Sequence, residues 1–185
     1  MSTDIFMFAE VKTNGCWEAV CDPNDSDNYD DWIFTRGQDY PFFAVLAGVR
    51  NYEGYEPISN PKGLPKEASF IIRRESQKDR DIARYHSYYT LSELKNYNWT
   101  GLPKIKGYVI KEEYENAMSE NGDRLYSTWN EHMLPVLQKQ GKEVIEIFEN
   151  PAEESVKEVI HNLTAIKEHF KVQENQVRIV FWFIG

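Results

Sequence analysis

The chain has 185 residues, a net charge of -9, and 41% hydrophobic, 28% charged and 14% aromatic residues. That length fits one domain with a proper core. The acidic balance excludes the broad basic face that general nucleic-acid binding and anionic membranes require.

The first element expected is a hairpin: residues 5–11 are apolar and β-prone, Asn14-Gly15 is the strongest short turn signal, and residues 17–20 return. Cys16 and Cys21 have no CxxC spacing and no second pair to complete a zinc site, so they read as free thiols of a reducing cytosol. Residues 22–31 hold five aspartates, which suggests a calcium loop. Counted from Asp22, however, the sixth position is Asp27 rather than Gly and the twelfth is Ile33 rather than Glu, so a solvated loop is expected and no metal site.

Tyr40-Pro41 opens a short helix over 42–49 with almost no polar face, which should be buried on most sides. Residues 51–67 form a long irregular segment rich in Gly, Pro, Asn and Tyr, of a length often reserved for function. Thr90-Leu91-Ser92-Glu93 is a capping box that starts a helix. Residues 105–111 alternate weakly as a strand, and 112–140 read as two short helices broken at Asn121-Gly122. Residues 144–148 fit strand or helix equally. Pro151 opens a firm amphipathic helix to about Phe170, and 177–183 ends the chain as an apolar, central strand. Strands at both ends with helices between imply a single α+β domain over 1–185, with 105–175 its mainly helical portion and the first and last strands neighbours in a mixed or antiparallel sheet.

Three segments carry a resemblance: Asp39-Tyr40-Pro41-Phe42-Phe43-Ala44-Val45-Leu46-Ala47-Gly48-Val49-Arg50-Asn51, then Lys62-Gly63-Leu64-Pro65, then His86-Ser87-Tyr88-Tyr89-Thr90-Leu91. Their order and spacing resemble a family of small phage and prophage proteins of unknown activity, over roughly the first 100 residues and the last strand. The family pattern has a basic residue where Arg36 precedes an inserted Gly37-Gln38, an Arg at Lys62, a Trp at Tyr88 and a His at Arg84. If that His is a catalytic base, its replacement by Arg84 argues against catalysis here while leaving a group that holds an anion. The resemblance implies a phage-encoded protein in the host cytoplasm.

The chemistry concentrates in one stretch. Residues 62–84 carry seven basic residues against four acidic ones, inside an acidic protein, and Tyr85, His86, Ser87, Tyr88 and Tyr89 follow at once. Guanidinium forks suit phosphate oxygens and aromatic faces suit bases. The same stretch also reads as a solvated helix of mixed charge leading into an aromatic core strand. His86 and Ser87 are adjacent on a strand and face opposite ways, so His86 cannot serve Ser87 as a base. His132, His161 and His169 have no metal-ligand spacing. Arg50 and Asn51 stand where the buried helix meets the long loop. The candidate ligand-binding residues are therefore Arg36, Arg50, Asn51, Lys62, Arg84, His86, Ser87 and Tyr88, with no catalytic set and no cofactor.

Three functions fit. The first is a binding protein that sequesters a small anionic ligand of nucleotide type, as phage sponges do against host immune signals. The second is an acidic protein that inhibits a host protein, with the Asp22–Asp31 loop in the contact. The third is a nucleotide hydrolase using His86. No membrane or nucleic-acid partner is expected, and homo-oligomer formation stays open.

Overall fold

The computed structural model describes residues 2–21, 38–119 and 127–185. The aspartate-rich loop, Arg36 and the Asn121-Gly122 break lie outside them. The elements in chain order are β1 (Asp4–Thr13), β2 (Cys16–Val20), α1 (Tyr40–Ala47), α2 (Phe70–Lys78), β3 (Ala83–Thr90), α3 (Leu91–Asn96), β4 (Ile105–Ile110), α4 (Lys111–Met118), α5 (Leu134–Lys139), β5 (Val144–Glu149), α6 (Pro151–Phe170) and β6 (Val177–Ile184). The fold is α+β with antiparallel sheets. Among the described residues no helix is long and apolar enough to cross a membrane. The contacts divide the chain into two compact units, Met1–Gly101 with Pro151–Gly185, and Leu102–Asn150.

The larger unit is built on a four-stranded sheet in the order β2-β1-β6-β3. The first and last strands are neighbours, Asp4 opposite Ile184 through Val11 opposite Val177. The hairpin turn has both Asn14 and Gly15 at positive φ, 50° and 84°, the twist that a two-residue turn between antiparallel strands needs. β6 is central because, Arg178 apart, its residues on both faces are apolar and Val177 to Phe183 are buried throughout.

One face of the sheet meets α1, α3 and α6. Phe43 of α1 packs edge-on against Phe183 at 5.2 Å, and the Tyr89 hydroxyl donates to Leu46 O at 2.8 Å. α1 buries Phe42 through Ala47, as its lack of a polar face demands. Asp39 caps it by accepting from Phe42 N, and Gly48 ends it at a φ of 70°. Ser155 of α6 donates to the same Asp39 carboxylate, tying α6 to the start of α1. The α6 stripe Val156, Val159, Leu163 and Ile166 is fully buried. The Thr90–Glu93 capping box is formed, with Glu93 N donating to Thr90 Oγ1 at 3.2 Å and Thr90 N to Glu93 Oε2 at 2.8 Å.

The opposite face is covered by α2 and the segment before it. Phe8, Val180 and Trp182 of the sheet form a cluster with Ala68, Ile72 and Ala83. Burying each such large side chain contributes about 1.5–3 kcal/mol. The N-cap of α2 is Ser69, whose hydroxyl accepts from Ile72 N.

This face also holds an ion pair that composition does not reveal. Glu10 and Arg178 are direct cross-strand partners. Arg178 Nε donates to Glu10 Oε2 at 2.7 Å, and the two side chains are 0% and 4% exposed. The other carboxylate oxygen accepts from Ser69 N at 2.6 Å, so Glu10 fixes the sheet to the start of α2. The Arg178 guanidinium lies 3.8 Å from the Trp17 ring and 5.4 Å from that of Tyr88.

The smaller unit has β4 paired with β5, so residues 144–149, ambiguous in sequence, form a strand. Tyr108 of β4 also bridges to Trp129. Lys106–Glu146 and Lys111–Glu143 ion pairs, at 2.6 and 2.8 Å, tie the two strands and the start of α4. Pro135 falls in the first turn of α5, where its missing N–H costs nothing. The portion expected to be mainly helical thus carries a strand pair as well.

Candidate ligand-binding site

Most of the sequence candidates spend their polar groups inside the fold. Arg36 lies outside the described residues. Arg50, at a φ of 52°, donates from Nε to Thr3 Oγ1 at 2.8 Å and lies 5.8 Å from the Tyr40 ring. Asn51 clamps the long loop, donating to Tyr55 O at 2.7 Å and accepting from Tyr55 N at 2.8 Å. Both belong to the end of the sheet where β1 begins. Arg84 folds back on its own chain, donating to Ala83 O at 2.9 Å and Asp81 O at 3.1 Å.

Lys62, Ser87 and Tyr88 do come together. Lys62 N donates to Ser87 Oγ at 3.2 Å, and the ammonium sits 4.9 Å from the Tyr88 ring and 4.3 Å from that of Tyr89. The ammonium is also 2.6 Å from Glu93 Oε1. Burial pushes the Glu93 carboxyl up, but hydrogen bonds from Lys62 and Thr90 outweigh it and hold it below its ordinary value. Lys62 is thus neutralised, and Ser87 is fully buried.

His86 and Ser87 face opposite ways, and the partner of His86 is one the sequence does not suggest. His86 Nε2 is 2.9 Å from Ser76 Oγ on α2, and its ring stacks on Trp182 at 5.4 Å. Burial lowers its pKa, which favours the neutral imidazole. Among the described residues no carboxylate stands behind the ring, and Ser76 is 8% exposed. A nucleophile needs both a positioned base and access, so this pair fastens α2 to β3.

With the inner side of α2 committed to Ile72 and Ser76, the outer side presents Phe70, Arg73, Arg74, Gln77 and Lys78. These residues line an open groove of about 540 Å³. They recur at i, i+3, i+4, i+7 and i+8, the spacing of one helix face. Phe70 is 69% exposed. Arg74 and Lys78 share Glu75, at 2.7 and 2.6 Å. Burial raises the Glu75 pKa, but hydrogen bonds from Lys78 and Arg74 more than reverse this and hold the carboxyl ionised. Arg73 N donates to Ser69 O at 3.1 Å, but its guanidinium makes no hydrogen bond or ion pair among the described residues. The groove therefore offers three cations against one carboxylate, beside an exposed aromatic ring. Arg73, Arg74 and Lys78 belong to the basic stretch over residues 62–84 but are not among the eight candidates that the sequence singles out. The helical spacing was the signal that could have singled them out.

Among the described residues no cluster of three His, Cys, Asp or Glu is placed to hold a metal ion. No protein-family model, curated protein or solved structure matches the chain.

Proposed function

We propose that this protein binds a small anionic ligand of the nucleotide class on the outer face of α2 and holds it without turning it over. The observation that carries the reading is the groove itself: Arg73, Arg74, Gln77 and Lys78 line it together with Phe70, whose ring is exposed. Its volume of about 540 Å³ is within the range of small-molecule sites, about 300–1,000 Å³. Guanidinium forks match phosphate oxygens two at a time, as a lone ammonium cannot, and an exposed aromatic face takes a base by stacking. Arg73 is the key group, because it carries no internal ion pair that a ligand must displace. The phage resemblance gives the reading its biological sense, a sponge for a host signalling nucleotide.

The test is thermal unfolding against mono-, di- and cyclic nucleotides. A ligand that binds only the folded state at 100 times its Kd adds about 2.7 kcal/mol, a rise in Tm of about 5–11 °C at this chain length. The rise should vanish in Arg73→Ala and in Phe70→Ala, and the ligand should be recovered intact after denaturation. Chemically altered ligand would instead revive the hydrolase reading. No shift with any nucleotide would overturn the proposal in favour of a protein partner, sought by pull-down.

A further inference from the structure

Glu75 does not line the groove, yet it holds two of the cations that do. Both nitrogens along one edge of the Arg74 guanidinium reach the same carboxylate oxygen, Nε at 2.9 Å and Nη2 at 2.7 Å from Oε1. Lys78 Nζ is 2.6 Å from the other oxygen, Oε2. A guanidinium edge of this kind is what grips a phosphate group. The carboxylate therefore occupies the place that an anionic ligand of Arg74 and Lys78 would take, and it does so as a charged group, because the carboxyl is held ionised. The Glu75 side chain is 21% exposed, against 49% for Arg74 and 61% for Lys78, so both cations stay within reach of solvent.

The Arg73 guanidinium is outside this arrangement. Along the helix the groove runs Phe70, Arg73, Arg74, Lys78. A rise of about 1.5 Å per residue puts Arg73 about 4.5 Å and Lys78 about 12 Å beyond Phe70 along the axis. A base stacked on Phe70 thus has a free cation nearest to it and the two cations held by Glu75 further on. A competitor on the same helix acts at high effective concentration. Exposed ion pairs are individually weak, however, so a phosphate that reaches them can displace it.

We infer that the groove takes nucleotides with at least two phosphate groups: the first is held by Arg73, and the second sits at Arg74 and Lys78 in exchange for the carboxylate of Glu75, the built-in competitor of the site. This rests on the groove reading above. The exchange swaps one anion for another, and the released carboxylate turns to water. A monophosphate stops at Arg73 and leaves Glu75 in place.

The test measures by calorimetry the binding of ADP, GDP, CDP and UDP, each against its monophosphate, to the wild-type chain and to Glu75→Gln and Glu75→Ala. Removing the competitor should raise diphosphate affinity about three- to tenfold, since two exposed ion pairs no longer have to be broken. Monophosphate affinity should stay unchanged. Exposed pairs contribute little to the fold, so both variants should unfold within about 2 °C of the wild type. Alanine keeps the result readable where the glutamine amide still contacts Arg74. Unchanged diphosphate affinity in both variants overturns the inference. A fall in affinity overturns it too, since Glu75 would then position the cations rather than compete for them. An equal gain for mono- and diphosphates overturns the assignment of two phosphate positions. Each of these results leaves the groove as a nucleotide site. Binding of none of these probes, to the wild type or to either variant, removes the groove reading and the inference with it.

Discussion

Helix α2 and strand β3 come from one basic and aromatic stretch, and they use its side chains in contrary ways. On β3 and the segment beside it, Lys62 is paired with Glu93, Arg84 with backbone carbonyls, His86 with Ser76, and Ser87 is buried. On the outer face of α2, Phe70 stands in solvent and Arg73 is unpaired among the described residues. The difference lies in geometry. A strand packed on both faces gives each alternate residue an interior partner, whereas a helix lying on a sheet commits one stripe and leaves the rest outside. A count of positive charges therefore measures where a ligand site could lie, and the packing decides which charges are left to form it.

The contrast can be broken most forcefully at the buried pair. Arg178→Ala leaves Glu10 as an uncompensated buried carboxylate, and the chain should lose about 3–5 kcal/mol of stability in urea titrations. A loss under about 1 kcal/mol would show that water reaches Glu10 and that this end of the sheet is open. Next in size is the capping box at the end of β3. Thr90→Ala should cost about 1 kcal/mol, and Thr90→Ser almost nothing, because the hydroxyl is what accepts from Glu93 N.

A smaller effect is expected at His86. Its folded-state pKa lies below the ordinary 6.5, through burial. The stability this gives is fully present above pH 6.5 and is lost as the pH falls from there through the folded-state value. The wild-type urea midpoint should thus drop between about pH 7.5 and about pH 5 by more than that of His86→Gln. Parallel profiles would mean that the imidazole is hydrated in the fold. The smallest expected effect is on the other side of the comparison: Arg73→Ala should change stability by less than about 0.5 kcal/mol while abolishing the nucleotide-dependent rise in Tm. Destabilisation well beyond that would place Arg73 among the structural cations and erase the distinction between the two elements.

Several features were legible because their cause is local. Asn14-Gly15 set the hairpin, Thr90 and Glu93 set a helix start, Pro41 and the apolar run after it set a buried helix, and the almost wholly apolar character of residues 177–183 placed the last strand inside the sheet. The candidate site was legible only as a stretch. The helical spacing of Phe70, Arg73, Arg74, Gln77 and Lys78 is present in the chain, but so is that of Ser69, Ile72 and Ser76, and only contact with Phe8 and Trp182 chose which stripe turns inward. Residues 144–149 were ambiguous because a short apolar run suits either period, and pairing with β4 resolved it.

The sequence by itself determined the class of fold, the starts of the helices at Tyr40, Leu91 and Pro151, and the neighbourhood in which positive charge and aromatic rings concentrate, since each follows from contacts within a few residues or from composition. The tertiary structure alone decided that Glu10 meets Arg178 across 168 positions, that the partner of His86 is Ser76, and that Tyr85 takes a left-handed conformation in a bulge. Those depend on strand register and on which helix covers which face. Register is fixed by the burial of whole sheets, which no window along the chain contains.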